Sequence, residues 1–172
     1  GVWDRYTTGF ETYKTASGSS YNLTTEEFAV NQAKNYAKIS ASAHSGGANW
    51  IFSDSTSHGR VYSEVSRASG EVDAVRLEKE AYYTLKTIFN DEPDVYLLGH
   101  WNYPAGTIKD VYATSNAFSV KLIVTDTDGK ATEYTGTKSN GYLFTFKNVA
   151  YTPGTITAVA YDKTGNQVAE SV

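Results

Sequence analysis

Gly46-Gly47-Ala48-Asn49-Trp50-Ile51-Phe52-Ser53-Asp54-Ser55 is a short apolar run that opens after two glycines and breaks off into Ser, Asp, Ser, Thr and Ser. The pattern predicts a buried strand that delivers a tryptophan and a carboxylate to one end of a sheet. Along it Asn49, Ile51 and Ser53 point one way, and Trp50 and Phe52 the other. Helical patterns lie on both sides, so the order is helix, strand, loop, helix. That order is the unit of an α/β domain with a parallel sheet, in which ligands gather at the carboxyl ends of strands. A strand with apolar groups on both faces needs neighbours, and no second strand is legible before it.

Upstream, Gly1 to Leu23 shows neither helical nor strand period and reads as a long loop. Its Trp3 and Tyr6 serve either packing or a sugar site. Thr24-Thr25-Glu26-Glu27 has the form of a capping box, which predicts a helix running to about Ala43 and stopping at Ser45-Gly46-Gly47. Its apolar face is narrow and rich in alanine, so packing must supply the stability that propensity does not. Downstream, Thr56 to Gly70 is polar and reads as loop. A second helix is expected over Asp73 to Asn90, where Ala81, Leu85, Ile88 and Phe89 form an apolar stripe, with Glu78 and Glu80 early and Lys86 late. Asn90-Asp91-Glu92-Pro93 ends it and marks a domain boundary, giving residues 1–92 and 93–172.

Beyond Pro93 the period changes. Val95 to Trp101, Ile108 to Thr114, Val120 to Thr125, Ala131 to Thr135, Tyr142 to Phe146, Thr155 to Tyr161 and Gln167 to Val172 are short runs rich in Val, Ile, Tyr and Thr. Asp128-Gly129, Asn140-Gly141, Pro153-Gly154 and Thr164-Gly165-Asn166 mark reversals between them. Seven such strands in some 80 residues describe a small antiparallel sandwich of immunoglobulin or fibronectin-III type.

Composition narrows the function classes. The net charge of -4 carries no run of basic residues, so nucleic acid is not an expected partner. Without cysteine there is neither a disulfide framework nor a thiolate metal site. No stretch nears the roughly 18 apolar residues that cross a bilayer, so a soluble protein with no membrane partner is expected. Fourteen tyrosines suit carbohydrate, whose apolar faces pack on flat rings, although tyrosine is also favoured in strands.

Three stretches carry a family resemblance. They are Gly47 to Ser55, then Ser69-Gly70-Glu71-Val72-Asp73-Ala74-Val75-Arg76-Leu77-Glu78-Lys79-Glu80-Ala81-Tyr82-Tyr83, then Asp94-Val95-Tyr96-Leu97-Leu98-Gly99-His100-Trp101-Asn102-Tyr103-Pro104. Together they resemble the C-terminal part of glycoside hydrolase family 2, the family of β-galactosidases and their relatives. A fourth stretch, Tyr151 to Asp162, is similar to the end of the sandwich in such enzymes. The resemblance runs from about Thr24 to Val172. It implies an α+β chain: a partial (β/α) barrel end of two helices and a strand, followed by a seven-stranded antiparallel immunoglobulin-like sandwich. One departure is that Arg76-Leu77-Glu78-Lys79-Glu80 replaces the family's Arg-x-Pro-Lys, so proline does not set the helix entry.

A retaining glycosidase needs two carboxyl groups about 5 Å apart, one acid/base and one nucleophile. In the family both lie on earlier barrel strands, and no segment here matches either. No catalytic residue is therefore expected in this chain. Glu11 lacks a preceding apolar strand to hold it, and Glu26 and Glu27 read as helix-start charges. By resemblance Trp50 is the aromatic platform for the sugar nearest the reaction centre, and Asp54 bonds hydroxyls or orients a neighbour. The competing readings are core filling for Trp50 and a turn or helix cap for Asp54. His44, His58 and His100 have no metal-ligand spacing, and hairpin chemistry explains Asp126 and Asp128; neither a metal nor a cofactor is expected. His100-Trp101 is expected at the barrel–sandwich interface.

The expected partners are the remainder of a glycosidase chain and a carbohydrate substrate, with this chain inactive alone. The rival is a non-catalytic carbohydrate-binding or structural sandwich module. The compartment is not legible; the resemblance is compatible with a periplasmic or secreted protein.

Overall fold

The computed structural model describes residues 25–49, 51–55 and 70–172. Two helices, α1 (Thr25–Ser40) and α2 (Glu80–Phe89), precede eight strands: β1 (Val95–Leu98), β2 (Ile108–Ser115), β3 (Ser119–Asp126), β4 (Ala131–Thr135), β5 (Thr137–Ser139), β6 (Leu143–Ala150), β7 (Gly154–Tyr161) and β8 (Gln167–Ser171). The strands form two four-stranded sheets, ordered β1-β2-β6-β5 and β4-β3-β7-β8, with every pairing antiparallel.

Alternation puts the core between them. Val120, Leu122 and Val124 of β3 and Ala158 and Ala160 of β7 meet Val111 and Ala113 of β2 and Phe144 and Phe146 of β6. Two turns are built by their own carboxylates. Asp126 accepts the amides of Asp128 (3.0 Å) and Lys130 (2.8 Å) between β3 and β4. Asp162 accepts those of Thr164 (2.8 Å) and Asn166 (2.9 Å) between β7 and β8. With the Thr164 hydroxyl and these amides bonding to it, the Asp162 carboxyl is held down at about 2.

Several boundaries differ from those the pattern suggests, each for a local reason. β1 ends at Leu98 rather than Trp101, because Gly99 turns at φ +92. β6 continues past Phe146 to Ala150, because Asn148 at φ +53 forms a bulge opposite a register shift at Lys109 and Val111 instead of ending the strand. α1 stops at Ser40, and the Ser42 hydroxyl bonds the Ile39 carbonyl (2.8 Å) in the turn that follows. β5 is an eighth strand that its three polar residues, Thr137-Lys138-Ser139, give no period to reveal.

The helices form a further layer. Ala29, Val30 and Ala33 of α1 and Ala81 of α2 pack with Leu98 of β1 and Leu143 of β6 on the outer face of the first sheet. Its two faces are thus both apolar, Leu97 and Phe144 inward and Leu98 and Leu143 outward. Beside this layer the Lys109 ammonium bonds both carboxylate oxygens of Glu26 (2.7 and 2.9 Å) and the Tyr103 hydroxyl (3.0 Å). Glu26 is 6% exposed, and a Cβ at position 99 would lie 2.9 Å from its Oε2, so Gly99 leaves room for the pair.

Removing one ion of such a pair leaves the other buried and uncompensated, which costs about 3–5 kcal/mol, whereas replacing both by apolar side chains is near neutral. Lys109→Met is therefore expected to lower the unfolding free energy by roughly 3 kcal/mol in urea melts, with Glu26→Leu recovering most of it when added.

Candidate functional site

The segment Ile51–Ser55 runs alongside Gly70–Val72 as a short parallel ladder. Glu71 donates its amide to Ile51 O (3.3 Å), Val72 to Phe52 O (3.0 Å), and Asp54 to Val72 O (3.0 Å), with a parallel bridge between Ser53 and Val72. A Cβ at Gly70 would run into the backbone of Ser53 and Asp54, so only glycine permits the approach. The expected strand is present as this bridged, extended segment rather than as a named strand, because among the described residues only three residues of Gly70–Val72 lie beside it.

The helix expected from Asp73 begins at Glu80 instead. Asp73 accepts the amides of Val75 (2.8 Å) and Leu77 (2.9 Å) on one carboxylate oxygen, and its own amide bonds Leu77 O (2.9 Å). Arg76 takes φ +73 at the crest. An aspartate that bonds the backbone this way offers an alternative to the helical ladder, so Glu78 belongs to the returning arm, bridged to Val72, rather than to the helix.

Asp54 ends the ladder. Its Oδ1 accepts the Gly70 amide (2.7 Å) and the Lys79 ammonium (2.6 Å), and both side chains of this ion pair are near-buried, Lys79 at 9% and Asp54 at 12%. The carboxylate thereby ties the start of the 70–79 loop to its end.

Glu71 lies behind it, 2% exposed. Its Oε1 accepts Gln32 Nε2 from α1 (2.8 Å) and the side-chain amide of Asn49, while Lys79 N returns to its carbonyl (2.9 Å). Oε2 is buried with no hydrogen-bond partner among the described residues. Burial dominates, pushing the carboxyl up to about 7 against the opposing pull of Asn49 and Lys79. Glu71 also borders an open hollow of about 440 Å³ formed with Phe52, Tyr82, Leu85 and Phe89. Its apolar rim is wet: Phe52 is 56% and Phe89 70% exposed.

The 48% identity over 167 residues to a beta-glucuronidase of Formosa agariphila covers 93% of this chain and 16% of that protein. A solved beta-glucuronidase from glycoside hydrolase family 2 matches with a TM-score of 0.77 at 44% identity, covering 98% of this chain and 18% of that one. The chain is similar, over nearly its whole length, to a segment of glycoside hydrolase family 2. A beta-glycosidase from Bacteroides vulgatus matches with a TM-score of 0.52 at 28% identity, over 62% of this chain and 13% of that one. Residues 106–169 match a family described as a domain of unknown function, DUF4982. The chain thus spans under a fifth of these two beta-glucuronidases (16% and 18%).

Of the residues expected at the sugar site, Asp54 sits in the ion pair with Lys79, and Trp50 lies outside the described residues, as do Trp3, Tyr6, Glu11 and Thr24 of the capping box. His100 stacks on Tyr103 at 4.4 Å between ring centroids. Trp101 packs against the sandwich core and donates its indole N–H to Thr152 O (3.0 Å). Among the described residues no three His, Asp or Glu side chains converge as metal ligands, and no helix is long and apolar enough to cross a membrane. Sequence reasoning passed over Glu71 and Lys79 as members of a helix-entry stretch. The signal was the carboxylate between Gly70 and Val72, a charge inside a tight apolar pairing.

A folded-state carboxyl raised to about 7 binds its proton more tightly than the unfolded chain does. Its contribution to stability is therefore full below about pH 4.5 and is lost as pH rises through about 7. Wild-type protein is expected to be less stable at about pH 8 than at about pH 5, by up to about 3 kcal/mol from this group. Glu71→Gln should remove that share of the difference in urea midpoints.

Proposed function

We propose that this chain is the segment of a family 2 glycoside hydrolase that completes the catalytic barrel, residues 1–92, and carries the sandwich that follows it, residues 93–172. The catalytic carboxylates belong to the part of the enzyme outside this chain, and the substrates are β-linked glycosides. The names of the relatives favour a β-glucuronide over a β-galactoside. The observation that carries this reading is the asymmetry of coverage: nearly all of this chain matches, but under a fifth of the relatives does (16% and 18%).

The geometry supports it. The 51–55 segment pairs in parallel with Gly70–Val72, as a barrel stave does with its neighbour. The apolar rim of Phe52 and Phe89, with Val75 (76% exposed) and Leu77 (59%), suits burial against further barrel elements. Trp50, the residue before this segment in the sequence, is by resemblance the platform on which the sugar packs, by the same stacking that makes flat rings suit pyranose faces. Asp54, fixed by Lys79 and the Gly70 amide, stands four residues on as a second substrate-side group.

Two assays test the reading. The isolated 172-residue chain is expected to release no nitrophenol from aryl β-glucuronide or β-galactoside, while a longer gene product containing it hydrolyses the glucuronide. Turnover by the isolated chain, or a longer product inert on both substrates, overturns it. A sugar-binding response by the isolated chain alone would instead favour the rival of a free-standing binding module.

A further inference from the structure

The turn between β5 and β6 carries Asn140-Gly141, the one Asn-Gly step in the sequence. Both residues are exposed, with φ +48 at Asn140 and +74 at Gly141. Tyr142 N bonds Asn140 O (2.9 Å) across Gly141, the bond of a γ-turn whose central φ is positive and strained. We propose that Asn140 is a site of spontaneous modification: the Gly141 amide closes on the Asn140 side chain and leaves an aspartyl or isoaspartyl residue in the turn that seats α1. The site does not depend on which reaction the longer enzyme performs.

The step balances with water as its sole co-reactant. Gly141 N gives up its proton and attacks Asn140 Cγ; a C–N bond forms, the Cγ–Nδ2 bond breaks, and ammonia leaves with the proton. The resulting cyclic imide takes up water. Opening at Cγ gives aspartate, and opening at the main-chain carbonyl carbon gives isoaspartate, whose backbone runs through Cβ and Cγ and is one carbon longer. Either product carries a new carboxylate, so the net charge moves one unit beyond -4.

The structure singles out Asn140 for this attack. Glycine has no Cβ to block the approach of its nitrogen, and among the described residues neither the Gly141 N–H nor the Asn140 side chain has a hydrogen-bond partner. Turning Asn140 into line for attack breaks one backbone bond, that of the strained γ-turn. Asn116, by contrast, spends its side chain on Asp94 N, Asn90 O and Glu92 O, and the amide that follows it bonds Ser115 Oγ. Asn166 is bonded to Asp162 and Thr164. Asn148 shares the positive φ, at +53, but precedes Val149, which is β-branched and 0% exposed.

The turn is not a free tip. A Cβ at Gly141 would lie 3.7 Å from the Ala37 Cβ of α1, and Tyr142 O accepts Ser115 N (2.9 Å). Leu143 follows, 1% exposed and packed with Ala29, Val30 and Ala33. An extra backbone carbon at position 140 therefore pushes the turn against α1 or pulls Leu143 from its seat, and a close-packed layer absorbs neither without loss. A charge added at the exposed tip costs far less.

The test is storage of the 172-residue chain in mildly alkaline buffer at physiological temperature, with trypsin mapping at intervals beside an unstored sample. Cleavage after Lys138 and Lys147 frees Ser139–Lys147, in which Asn140 is the sole asparagine. This peptide is expected to split into an aspartyl and an isoaspartyl isomer, the second a substrate for isoaspartyl methyltransferase, roughly tenfold faster than any other described asparagine reacts. Gly141→Ala, which sets a methyl beside the attacking nitrogen, is expected to slow the conversion roughly tenfold.

In urea melts the isoaspartyl fraction, resolved by ion exchange, is expected to show a lowered midpoint, Asn140→Asp to keep that of the wild type, and Asn140→Gln to hold its own through storage. An intact Ser139–Lys147 peptide after other asparagines have reacted overturns the proposal. So does an unchanged rate in Gly141→Ala or, should that variant not fold, conversion of Asn140→Gln as fast as the wild type. An isoaspartyl fraction as stable as Asn140→Asp overturns the link to α1 and leaves the modification site standing.

Discussion

The first sheet of the sandwich is apolar on both faces, and the rest of the chain answers that constraint. One face meets the second sheet through Val111, Ala113, Phe144 and Phe146. The other carries Leu98 and Leu143, 3% and 1% exposed, under Ala29, Val30, Ala33 and Ala81 of the helices. Each such leucine is worth about 1.5–3 kcal/mol in burial, so the sandwich without its helices would lose a large part of a small domain's net stability. The alanines of α1 make this possible: they let the helix backbone come close to a sheet whose outward residues include Tyr96 and Tyr112.

That coupling shows why the sandwich was the most legible part of the sequence. Strand period and turn chemistry are local, and Asp126 and Asp162 build their hairpins from residues within four positions of themselves. Ala131–Thr135 has the predicted bounds. The errors occurred where one side chain or one dihedral overrode the local pattern. Asp73 captured two amides and delayed α2 to Glu80, Gly99 cut β1 short, and Asn148 carried β6 through a polar pair that reads as its end. None of these changes the layer in which an element lies.

The site was legible only as far as family resemblance reached. Trp50 and Asp54 stand out as the indole and carboxylate of the first stretch. Glu71 does not, because its partners are 39 and 22 residues away in the sequence, at Gln32 and Asn49. Its burial is a property of three segments meeting rather than of any one of them. The same holds for Lys79, which the pattern assigns to a helix and the structure gives to Asp54, 25 residues earlier.

Among the described residues, Glu26 and Glu71, two of the three buried glutamates of the N-terminal half, are treated in opposite ways. Glu26 receives an ammonium on both oxygens, so charge meets charge at the seam between α1 and the sandwich. Glu71 receives two neutral amides on one oxygen, while the Lys79 ammonium bonds Asp54 and pulls on Glu71 only through space. Losing either ion of the Glu26–Lys109 pair strands the other in a dry place and so resists opening, although burial still raises the Glu26 carboxyl above its usual range. An amide-bonded carboxyl near neutrality exchanges a proton at little cost. The seam between α1 and the sandwich is therefore held by charge, and the Glu71 side chain by neutral amides among the described residues.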